Sequence, residues 1–135
     1  MKDVNKTSLF YKFFSLLSVV RGYNILVLVI AQYLVSIYIF SPKKSITTVV
    51  FDLHLLFVVF STVCVVAGGY IINNFYDVKA DIINRPIKSG LDNYVKQETK
   101  LSIYFFLNFI GVLVGFLVSW KAALFFSIYI FGIWF

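Results

Sequence analysis

Four side chains carrying oxygen atoms, Asn73, Asn74, Asp77 and Asp81, fall within nine residues of the stretch "YIINNFYDVKAD" (70–81), just where two dozen uncharged residues give out. On a helix turning about 100° per residue, Asn73 at 0° is followed by Asp77 near 40°, Asp81 near 80° and Asn74 near 100°, so all four share about one quarter of the surface. Asn84 joins them near 20° if the helix continues that far, while Phe75, Val78 and Ile82 point elsewhere. Carboxylates beside hydrocarbon are costly unless a cation or water compensates them. Carboxylate and carboxamide oxygens are hard ligands, suited to Mg²⁺ rather than zinc. Mg²⁺ characteristically takes one or two protein carboxylates, keeps several waters and bridges to substrate phosphates. Lys79, Arg85 and Lys88 follow closely and can neutralise further phosphate charge. The expected chemistry is a diphosphate gripped through magnesium at a membrane mouth.

The elements that must position this set are apolar helices. Of 135 residues, 61% are hydrophobic and only 13% charged, which excludes an ordinary soluble domain. Stretches free of Asp, Glu, Lys and Arg run over Gly22 to Pro42, Leu53 to Tyr76 and Leu101 to Trp120, each close to the ~20 residues that a bilayer-crossing helix needs. The predicted fold is all-α: a polytopic transmembrane bundle of three full spans and a shorter fourth run, Ala122 to Phe135. Residues 7–20 set Ser8, Lys12 and Ser15 at helical spacing among Leu and Phe, the pattern of a helix lying in the cytoplasmic interface ahead of the first span. Pro42 ends span one. Pro86 and Gly90 predict a connecting loop after span two. Gly111 and Gly115 in span three form a GxxxG spacing that lets another helix approach closely. The fourth run stops after 14 residues without a polar flank, and we expect the chain to be the front part, residues 1–135, of a longer domain.

Charge placement sets the expected orientation. Lys2, Lys6, Lys12, Arg21, Lys79, Arg85, Lys88, Lys96 and Lys100 lie on the side of the N-terminus and the loop between spans two and three, against Lys43, Lys44 and Lys121 on the other. That bias predicts a cytoplasmic N-terminus and acidic segment in a multi-pass protein, expected in a bacterial plasma membrane among its lipids. The same dispersal accounts for the +6 net charge without nucleic acid as a partner. The first span is too long and too far from the N-terminus for a cleaved signal peptide. Cys64, the single cysteine, sits mid-span and is expected to serve packing. His54 lies at the far end of span two and is expected to serve the interface.

At the acidic segment the sequence resembles the UbiA family of intramembrane prenyltransferases. The Asn-x-x-x-Asp-x-x-x-Asp pattern at the end of the second span reads Asn73, Asp77, Asp81. It is preceded by "GGYII" and followed by "INRPIKSG", similar to the family's Arg-Pro-Ile-x-Ser-Gly; "RGYN", Arg21 to Asn24, is similar to its Arg-Pro-x-Asn. The resemblance implies a bundle of about nine helices around a lipid-facing cavity. There Mg²⁺ holds a prenyl diphosphate, and a prenyl group passes to a lipophilic acceptor, aromatic (a quinone precursor) or alcohol (a geranylgeranylglyceryl phosphate type). It implies Asp77 and Asp81 as catalytic residues, metal ligands together with Asn73 and Asn74. Asn73, Asn24, Arg85 and Lys88 become substrate-binding residues, with Tyr23, Tyr70, Phe75 and Tyr76 as candidates to face a cation. Two positions depart from the pattern: Asn74 stands where many members have Asp, and Arg21-Gly22 replaces Arg-Pro. A second acidic motif would lie beyond Phe135, so the isolated chain is expected to be inactive. The competing expectation is a non-catalytic membrane subunit or scaffold whose acidic loop binds a cation.

Overall fold

The computed structural model describes residues 2–134, and side chains from residue 8 onward. Among these residues the protein is helical without a strand: α1 (Lys2–Val19), α2 (Gly22–Val35), α3 (Ile46–Val50), α4 (Leu53–Asn84), α5 (Pro86–Asp92), α6 (Gln97–Val118) and α7 (Trp120–Ile133). A π-helical turn, Ser36–Phe40, extends α2, so three helical stretches are long and apolar enough to cross a membrane: Gly22–Phe40, α4 and α6. These match the three expected spans, and α7 matches the shorter fourth run.

Local chemistry explains several helix boundaries. Asp52 caps α4, its Oδ1 accepting from the Leu55 amide at 2.9 Å. Ser119, in extended conformation, breaks the chain between α6 and α7 and caps the latter through the Ala122 amide at 3.1 Å. At the other end of α4, Pro86 forces the residue before it out of the helical region, and Arg85 sits at φ −142°, ψ 66°. Pro86 then occupies the first turn of α5, where its missing N–H is no loss. Residues 86–92 are therefore a short helix rather than the expected loop: proline ends one helix and starts the next.

The core is the α4–α6 seam, with α7 folded back on α6. Small residues make it close. A Cβ on Gly111 would meet Val65 Cγ2 at 2.7 Å and the Ser61 carbonyl at 3.3 Å, and one on Gly115 would meet the Phe126 ring of α7 at 2.9 Å. The GxxxG pair thus serves two helices, Gly111 receiving α4 and Gly115 receiving α7. Cys64 is buried at this seam, beside Gly111. Nearer the acidic segment Val19, Ile71, Ile72 and Tyr104 bring α1 into the same core. In α1, Ser15 is fully buried and its hydroxyl donates to the Leu91 carbonyl at 2.6 Å. Leu9, Phe10 and Phe13 are left outward, an apolar face available to lipid.

Candidate functional site

No glycine or proline interrupts residues 70–84, so α4 carries the acidic segment as one uninterrupted helix through Asn84. Asn73 and Asp77 are exposed and Asp81 half-buried on a shared face. The same face continues back along the helix: Tyr70 near 60°, Val66 near 20° and Thr62 near −20°, taking Asn73 as zero. Asn74, at the edge of the set, goes elsewhere. It is buried, its Oδ1 accepts from Lys100 Nζ at 2.8 Å, and its Nδ2 donates to Asp92 Oδ2 at 3.2 Å. The oxygen expected to join the ligand set is committed to an ammonium on α6, which leaves Asn73, Asp77 and Asp81 as the outward-facing group.

A basic cleft of about 390 Å³ has walls that include Arg21, Tyr23, Asn24, Arg85 and Lys88. Three chain segments meet there: the α1–α2 turn, the α4–α5 corner and α5 itself. The turn is made by Arg21, which alone among the described non-glycine residues takes a left-handed conformation, φ 51°, ψ 60°. Its guanidinium carbon lies 5.4 Å from the Tyr70 ring centroid, and Asn24 Nδ2 donates to the Tyr70 hydroxyl at 3.4 Å. Tyr70 thus joins the cleft to the helix face that bears the acidic group. Lys88 Nζ donates to Asp92 Oδ2 at 2.6 Å and to the Ser18 carbonyl at 3.5 Å. An ammonium has three protons, so one donor remains for a ligand.

Deeper along α4, Leu28, Gln32, Thr62, Val66 and Tyr129 line a mainly apolar groove of about 400 Å³ between α2, α4 and α7. Gln32 Nε2 donates to Thr62 Oγ1 at 2.9 Å in its wall. The groove and the acidic group share one face of one helix.

Among the described residues no three of His, Cys, Asp and Glu gather as a metal cluster. Two carboxylates and a carboxamide on one exposed face nonetheless fit an ion that needs only one or two protein carboxylates and keeps its waters. His54, exposed in the first turn of α4, lies about 28 Å along the axis from Asn73 and belongs to the other end.

The structure therefore brings Asn24, Arg85 and Lys88 to one cleft and sets Asn73, Asp77 and Asp81 on the adjoining face. Sequence reasoning did not assign Asp92 or Lys100. The i,i+4 spacing of Lys88 and Asp92 was a visible signal for the first, and a lysine at the very start of an apolar span for the second.

Residues 29–135, most of the chain, match the family model described as the UbiA prenyltransferase family. The matched stretch contains the acidic group, Arg85, Lys88, Asp92 and Lys100, while Arg21 and Asn24 precede it. No curated protein and no solved structure matches the chain.

Proposed function

Because the chain belongs to the UbiA prenyltransferase family, whose members in general are membrane enzymes that transfer a prenyl group, we propose that it binds a prenyl diphosphate at the cytoplasmic end of α4 and serves its transfer to a lipophilic acceptor. Asn73, Asp77 and Asp81 would hold Mg²⁺. The chemistry the ion supplies when bound is neutralisation of charge that builds on pyrophosphate as the carbon–oxygen bond breaks.

The protein's own residues do the rest. Arg85 and Lys88 donate to phosphate oxygens through charge-assisted hydrogen bonds. Arg21, steadied over Tyr70, adds a third cation to the same cleft. The isoprenoid tail runs from the acidic face into the apolar groove past Val66 and Thr62, where burial in hydrocarbon costs nothing. In the reaction the allylic carbon–oxygen bond breaks, its electron pair leaving with pyrophosphate. The acceptor, an aromatic carbon or an alcohol oxygen, forms the new bond to carbon and loses a proton. Tyr23, in the wall of the cleft, would offer its π face to an allylic cation, the Tyr70 ring being taken by Arg21.

The observation that supports this most is the link through Tyr70, which shares the helix face of Asn73 and Asp77, carries the Arg21 guanidinium over its ring and accepts from Asn24, so one cation of the basic cleft is tied to the carboxylate face, a pairing suited to a metal-bound diphosphate. The test is binding of farnesyl or geranylgeranyl diphosphate to the protein in lipid nanodiscs, with Mg²⁺ and with excess chelator. Binding should require Mg²⁺ and weaken at least about tenfold in Asp77→Asn, or about 1.4 kcal/mol. Equal affinity in that variant, or indifference to the chelator, would rule the proposal out.

A further inference from the structure

Between α4, α5 and α6 a chain of ionic and amide groups is packed away from water. Lys100 is fully buried, Asp92 is 1% exposed and Asn74 8%. Lys100 Nζ donates to Asn74 Oδ1, and Asn74 Nδ2 donates to Asp92 Oδ2. Lys88 Nζ donates to that same Asp92 oxygen, at 2.6 Å.

The residue types are matched to their order. A carboxamide can accept from an ammonium through its oxygen and donate to a carboxylate through its nitrogen. A carboxylate at position 74 could do only the first, and would set two anionic groups against each other. Buried ion pairs are weak contributors to stability, since apolar replacements are often neutral or better. What such a chain can do is fix a geometry, and the group at its end, Lys88, is the one that reaches the basic cleft.

We infer that Lys100, Asn74 and Asp92 are positioning residues for Lys88, holding its ammonium at the cleft rim where, on the reading proposed above, it meets the diphosphate. None of the three touches the ligand. Asn74 acts here as a coupler between two helices, which accounts for its burial and for the amide in place of a carboxylate.

The charge of Asp92 makes the test decisive, because the two possible roles have opposite signs. An anion near a phosphate site opposes binding, so neutralising a bystander Asp92 would tighten it. Neutralising a positioning Asp92 frees Lys88 and weakens it. Inorganic pyrophosphate with Mg²⁺ is titrated by calorimetry into the full chain in nanodiscs, with melting temperature as a check on folding. Asp92→Asn should raise the pyrophosphate Kd about tenfold in the unaltered background and less than about twofold in a Lys88→Ala background. Should Asp92→Asn fail to fold, Asn74→Ser is carried through the same two backgrounds with the same expectation. Tighter binding in the variant, or equal weakening in both backgrounds, overturns the positioning role while leaving the diphosphate site intact. Absence of pyrophosphate binding by the unaltered protein overturns the diphosphate site and the positioning role with it.

Discussion

Gly111 of α6 lies so close to Val65 of α4 that a single added methyl group would come within 2.7 Å of the valine's Cγ2 and 3.3 Å of the Ser61 carbonyl. Val65 is itself buried and β-branched, and the carbonyl is backbone, so neither yields easily. Gly111→Ala should destabilise the protein by roughly 1–3 kcal/mol through overpacking. Gly132 on α7 has open space around its α-carbon, and Gly132→Ala should be neutral or stabilising by up to about 1 kcal/mol. Thermal unfolding of the two variants in the same detergent checks the contrast; equal melting temperatures would mean the α4–α6 seam is not closed as described.

Arg21 separates backbone strain from charge. A left-handed conformation costs a non-glycine residue about 1–2 kcal/mol, which glycine escapes. Arg21→Gly should therefore raise the melting temperature relative to Arg21→Ala, while both lose affinity for pyrophosphate to the same extent. A glycine variant that also keeps full affinity would remove Arg21 from the cleft's charge.

Asp52 caps the longest helix at the end remote from the site. Asp52→Ala should cost about 1 kcal/mol, and Asp52→Asn or Asp52→Ser should recover most of it, because each still offers an oxygen to the Leu55 amide. Pyrophosphate affinity should be unchanged in all three. Unfolding curves and calorimetry on the same preparations test both halves of the expectation.

Orientation is open to a direct measurement. Tyr94 and Phe51 are both exposed, one after α5 and the other just before α4. The lysine bias predicts a cytoplasmic position for residue 94 and an outer one for residue 51. In a Cys64→Ser background, a membrane-impermeant maleimide should label Tyr94→Cys only in inverted vesicles and Phe51→Cys only in right-side-out ones. The reverse pattern would turn the protein over and put the acidic face on the outer surface.

The helical spans were legible because charge-free runs of about 20 residues admit few other structures. The shared side of Asn73, Asp77 and Asp81 was legible because 3.6-residue periodicity fixes which side chains of a helix lie together. Asn74 shows where periodicity stops: the angle put it beside Asp81, but the partner that claims it, Lys100, comes from a helix whose rotation no local pattern reveals. Pro86 was legible as a break and not as a beginning, since proline favours both the end of one helix and the first turn of the next. The basic cleft depends on the turn at Arg21, where a left-handed arginine goes against the usual preference for glycine, so its shape lay beyond sequence rules.

The 32 residues of α4 give it a length of about 48 Å, against about 30 Å of hydrocarbon. Its last three turns therefore stand clear of the acyl chains as a stiff continuation of the membrane-embedded part, with no hinge before Arg85. The height of the carboxylates above the acyl chains is then governed by helix tilt and bilayer thickness. Lipids with longer tails should draw Asn73 and Asp77 toward the hydrocarbon boundary, and shorter ones should lift them into the headgroups. Ligand affinity should accordingly vary with acyl length even though every contact within the protein stays the same.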